Sequence, residues 1–132
     1  MEKLRALLNQ AVRFLRKLPV ARMIRPLWVG AVKDLAAKEI DALALKLEHD
    51  IREKGPEVID KAVDSLQVKM KMGLVFLPLP LGIEEKALVL IQERGDSFQM
   101  DLRTAVMVKG AGAVKPVADG LKAVILAKID AL

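Results

Sequence analysis

The chain has no cysteine and no tyrosine, one tryptophan and one histidine among 132 residues. The missing cysteines exclude a disulfide framework, thiolate metal sites and cysteine nucleophiles. With aromatics at 3%, the core must be built from aliphatic side chains. Uncharged polar residues are also few: Asn9, four glutamines, Ser65, Ser97 and Thr104. No long hydrophobic run is present. The longest, Met72 to Ile83, is interrupted by two prolines and two glycines, too short and broken to cross a bilayer as a helix. The first 25 residues have no clean apolar core of a secretory signal and no small-residue cleavage site. Cytoplasmic or virion placement is the expectation.

What is there is aliphatic and charged. Apolar residues make up 53% and charged residues 30%, and the mean hydropathy is +0.29. That balance is apolar for a domain of this size and points to surface covered by a partner, a second copy or lipid. Aliphatics with charges and few amides also fit a thermophilic origin.

The second half of the sequence repeats the first. An ungapped shift of 55 positions puts Leu35 on Leu90, Asp41 on Asp96, Leu47 on Leu102, Lys54-Gly55 on Lys109-Gly110, Asp64 on Asp119 and Leu66 on Leu121. Such similarity marks a supersecondary unit used twice, each copy covering the apolar face of the other. The expected fold is all-α: a basic N-terminal helix followed by two antiparallel helical hairpins.

Residues 2–18 carry a helical period. Leu4, Leu7, Leu8, Ala11, Phe14, Leu15 and Leu18 share one face, and Lys3, Arg5, Asn9, Arg13, Arg16 and Lys17 the other. Pro19 ends that helix. The first hairpin spans 27–73. Its first helix carries the stripe Ala36, Ile40, Leu43, Leu47 and Ile51, its turn is Gly55-Pro56, and its second helix runs from Pro56 to Met72. Residues 74–82 form an apolar, proline-rich linker expected to press on the core. The second hairpin occupies 83–132 and turns at Gly110 and Gly112. Its last helix has the wider apolar surface, which predicts the deeper burial. Residues 86–108 allow a second reading, a β-hairpin about Gly95-Asp96. The repeat favours helix, with Gly95 at a bend or a close helix contact. The expected core is Ile40, Leu43, Leu47, Leu66, Phe98, Leu102, Leu121 and Ile125.

Residues able to do chemistry are scattered. His49 lies between Glu48 and Asp50, with Glu53 four residues on, but on the charged side of its helix. One histidine without cysteine makes a poor transition-metal site. Glu84-Glu85 suits a helix start. Asp50, Glu53, Glu57 and Asp60 flank a turn and lack the apolar surroundings that prepare a general acid. Ser65 and Ser97 have no base that the sequence places beside them, Arg94-Gly95-Asp96 is a tripeptide of low specificity, and Gly110-Ala111-Gly112 lacks the lysine of a phosphate loop. No catalytic, metal or cofactor residue is expected, and the reading is non-enzymatic.

Charge carries more information. Residues 1–25 hold seven basic residues and one acid, a net of +6 in a chain whose total is +5. A basic amphipathic helix can meet an acidic protein surface, anionic lipid or a nucleic-acid backbone. It can equally pack its leucines on its own hairpins. The candidate partner-binding residues are Arg5, Arg13, Arg16, Lys17, Arg22, Arg25 and Trp28. The expected partners are copies of the chain or a larger assembly such as a virus particle or phage tail, then an anionic membrane surface. Nucleic acid ranks below both, because aromatics and a base-reading module are missing.

Overall fold

A computed structural model describes residues 2–16 and 25–132, with residues 11–16 described as helix only. Among the described residues there are five α-helices and no strand. They are α1 (Glu2–Arg16), α2 (Arg25–Lys54), α3 (Val58–Val75), α4 (Ile83–Lys109) and α5 (Val114–Asp130), with a 3-10 turn at Ala111–Ala113 before α5.

Glycine sets the helix ends. Gly55 and Gly110 follow α2 and α4 with φ of 92° and 78°, the left-handed region that side chains with a Cβ avoid. Their amide groups donate to Ile51 O and Val106 O, each at 2.8 Å, so both helices close with the same backbone bond in the same register of the repeat. Pro26 and Pro116 fall in the first turns of α2 and α5, where a missing N–H costs nothing. Glu84 and Glu85 occupy the first turn of α4.

Each of α2 and α4 packs against both α3 and α5. Short turns join α2 to α3 and α4 to α5, so chain neighbours run antiparallel and the four form an up-and-down bundle. α1 stands apart and meets the bundle at α3.

The buried positions obey the 55-residue offset. Val32 and Ala87, Ala36 and Ile91, Ile40 and Gly95, Leu47 and Leu102, and Ile51 and Val106 are all buried. So are Ile59 and Val114, Val63 and Ala118, Leu66 and Leu121, Met70 and Ile125, and Leu74 and Ile129. Of the eight expected core residues, seven are buried, and Leu43 is half-buried against the same cluster.

Several expectations need correction. Residues 86–108 lie within one continuous helix, so the β-hairpin reading falls. The three-four spacing of Ala87, Ile91, Gly95, Phe98, Leu102 and Val106, all buried, outweighs the local β preference of Val89, Leu90 and Ile91. α3 runs on to Val75 and takes up the first residues of the linker. The linker is only partly pressed inward: Leu79 is fully buried, whereas Phe76 and Leu81 are 46% and 62% exposed. α5 is not the more deeply covered helix, since Val124 is exposed and Val117 half-buried. Its extra apolar residues line a surface groove instead.

Gly95 makes the expected close contact. A Cβ there would lie 2.1 Å from Gln67 Nε2. The Gln67 side chain is buried and donates to Gln92 O and Asp96 Oδ1, both at 3.2 Å. In the other copy the equivalent residues are Ile40 and Lys122. There the large side chain sits on α2, and Lys122 reaches outward to Asp41 Oδ1 at 3.1 Å.

Candidate functional site

The uncovered part of the molecule is α1. The leucine stripe stays in water over its described length: Leu4, Leu7 and Leu8 are 61%, 62% and 46% exposed. Lys3 and Arg5 are exposed on the same helix. The self-packing alternative therefore fails for these three leucines.

The seven candidate contact residues separate. Arg5 is exposed on α1. Arg13 and Arg16 belong to the same helix, their side chains outside the description, and Lys17 and Arg22 lie outside the described residues. Arg25 is exposed yet engaged: its guanidinium donates to Asp130 O at 2.8 Å and lies 5.8 Å from the centre of the Trp28 ring. A cation on the last carbonyls of α5 suits that helix end, and Lys33 adds an ion pair to Asp130 at 2.6 Å. Arg25 thus ties the start of α2 to the end of α5.

Trp28 is a core residue, 3% exposed, and not a surface contact. Its Nε1 is buried without a hydrogen-bond partner, a cost of about 1–3 kcal/mol. Burying an indole removes roughly 150–250 Å² from water, worth about 4–6 kcal/mol at 25 cal/mol per Å². Packing wins, so the lone tryptophan goes inside.

The residues with potential chemistry remain apart. His49 is exposed, and its Nε2 lies 3.6 Å from Glu53 Oε1. No group of three or more metal-ligating side chains occurs among the described residues. Asp60 accepts from Gln99 Nε2 at 2.6 Å and from Arg103. These bonds hold its carboxyl below the ordinary value, Gln99 contributing most. Asp96 is lowered likewise, by Gln92 first and then Gln67. Both shifts keep the carboxylates ionised, opposite to what a general acid at neutral pH needs. The Arg94-Gly95-Asp96 tripeptide is helical with its glycine buried, and Ser65 and Ser97 are exposed on separate helices.

Two surface grooves escaped the reading of the sequence. One, of about 680 Å³, runs between α4 and α5 over Phe98, Ala105, Val117 and Leu121. The other, of about 350 Å³, runs between α2 and α3 over Leu43, Leu47, Ala62 and Leu66. They are the same groove in the two copies: Leu43 falls on Phe98, Asp50 on Ala105, Ala62 on Val117, Ser65 on Gly120 and Lys69 on Val124. The signal was present in the repeat, where the lining positions match at the same offset and two pairs, Ala42 with Ser97 and Ser65 with Gly120, are small in both copies. The smaller groove is rimmed by Lys46, Lys54, Lys61 and Lys69 with Glu39 and Asp50. The larger is more apolar, with Arg94, Asp101 and Lys109 at its edges.

No helix among the described residues is long and apolar enough to cross a membrane. No protein-family model, curated protein or solved structure matches the chain.

Proposed function

We propose that this chain is a non-enzymatic structural protein that acts by contact. It is a small helical component holding its place in a larger assembly, of the kind a virus particle or phage tail represents, by docking α1 onto a surface outside its own bundle. The observation that carries this reading is the exposure of Leu4, Leu7 and Leu8 on α1, left in water beside a bundle that has closed its own core. An amphipathic helix gains its stability from a covered apolar face, so α1 asks for a cover that the described bundle does not supply.

The test is the mass of the full chain in solution, by light scattering over a range of concentrations. Together with it comes the ability of Leu4→Gln/Leu7→Gln/Leu8→Gln to associate with anything the parent binds. The parent is expected to exceed its 14.5 kDa monomer mass or to bind a partner surface, and the triple variant to lose that association. A parent that stays monomeric and binds neither protein copies nor lipid would sink the contact role. A second reading, attachment to anionic lipid, is favoured by the net charge of +6 on residues 1–25.

A further inference from the structure

We propose that the surface α1 meets is an anionic lipid bilayer, and that the apolar end of the bundle enters the same interface. The inference rests on α1 being a docking element and names what it docks on. α2 begins at Arg25 and α5 ends at Asp130, and the two are joined there by the Arg25 to Asp130 hydrogen bond. α3 ends at Val75 and α4 begins at Ile83, so the antiparallel bundle brings all four of these ends together. The residues at that end are unusually apolar and open: Leu27 is 68% exposed, beside the already exposed Phe76 and Leu81. Leu79, fully buried between them, pins the linker so that its neighbours face water. α1 precedes α2 in the chain, and α2 begins at this same end. The bundle end therefore presents Leu27, Phe76 and Leu81 to water, and α1 presents Leu4, Leu7 and Leu8 with Lys3 and Arg5.

Charge selects the occupant. Seven basic residues in 1–25 face one acid, Glu2, in their own segment. Glu84 and Glu85 stand at the same bundle end, and Asp130 is already paired with Lys33. A second copy offers this basic helix no acidic groove, since the smaller groove is rimmed by four lysines and two acids and the larger by two cations and one acid. A nucleic-acid backbone would use the arginines but leave Leu4, Leu7, Leu8 and Phe76 in water. An anionic bilayer uses both: headgroups take the charges, and the acyl boundary takes the leucines.

Flotation of the full chain with vesicles tests this. One set is phosphatidylcholine alone, the other equal parts phosphatidylcholine and phosphatidylglycerol. The chain is expected to float with the anionic vesicles, more weakly as salt rises, and not with the neutral ones. Lys3→Gln/Arg5→Gln should weaken binding about twenty-five-fold, at roughly fivefold for each charge near the surface. Leu4→Gln/Leu7→Gln/Leu8→Gln should reduce it at least tenfold. Phe76→Gln/Leu81→Gln alters only exposed side chains and leaves α1 intact; it should weaken binding severalfold with an unchanged helical circular-dichroism spectrum. Equal flotation with both vesicle types, or full binding by the Phe76/Leu81 variant, overturns the proposal. So does binding to a DNA duplex with no binding to vesicles. If the chain fails to float but forms oligomers that the triple leucine variant disperses, the lipid proposal falls and the contact role stands. If it does neither, both fall.

Discussion

At the scale of single residues, Gly95 and Gln67 show how one missing methyl group sets a helix contact. Gly95→Ala would gain about 1 kcal/mol in helix propensity. The new Cβ, however, would meet the buried Gln67 side chain along its length and displace hydrogen bonds worth about 1 kcal/mol each, with overpacking of about 1–3 kcal/mol. The expected net loss is about 2–4 kcal/mol in a urea melt, partly recovered by adding Gln67→Ala. A Gly95→Ala chain as stable as the parent would mean that the helices can part there freely. Asp60 and Asp96 give a second residue-scale prediction. Their folded pKa values lie below the unfolded value of 3.8, so the unfolded chain binds more protons in acid. The stability they supply is complete above that value and is lost as pH falls through the folded pKa. The urea midpoint should therefore drop on acidification below the ordinary carboxylate range. Asp60→Asn should flatten the drop, and an identical pH profile for that variant would remove Asp60 from the account.

At the scale of elements, the repeat makes the two hairpins energetic counterparts. Leu47 and Leu102 are equivalent and each no more than 1% exposed. Leu47→Ala and Leu102→Ala should each cost about 2–5 kcal/mol, with values close to one another. A gap of several kcal/mol in chemical denaturation would show that the copies no longer share a packing scheme. The elements were legible in the sequence for the same reason. Gly55 and Gly110 announced the turns, the buried stripes announced the helices, and the offset resolved residues 86–108 where local preference could not. Less was legible wherever burial depends on a third body. Trp28 reads as a sticky surface residue until it is seen buried in the core with Arg25 over its ring. The leucines of α1 read as one apolar face open to a partner or to the bundle, because spacing reports which side is apolar, not what covers it. The grooves went unread because they are negative space, left where small side chains face each other across two helices.

At the scale of the whole molecule, α1 and the four-helix bundle are separate in energy. The bundle encloses a continuous core from α2 to α5, while the described side chains of α1 add almost nothing to it. Deleting residues 1–16 should leave cooperative thermal unfolding and its midpoint nearly unchanged, with a stability change of about 1 kcal/mol or less. The same deletion should abolish association with whatever surface the parent binds. A large fall in melting temperature would instead show that α1 is a structural part of the bundle.

The exchange of small and large side chains between the copies also bears on how the chain avoids pairing with the wrong half. Four antiparallel helices from a duplicated unit could in principle be satisfied by two identical hairpins from different molecules, each completing the other. Two first hairpins would set Ile40 against Gln67 at the crossing that Gly95 now keeps open. Two second hairpins would set Gly95 against Lys122, leaving a hole beside a cation. Only unlike halves match, and the nearest unlike half is the one tethered in the same polypeptide. The asymmetry at this crossing therefore works as a lock against pairs of like hairpins, and the tether then favours closure within one chain.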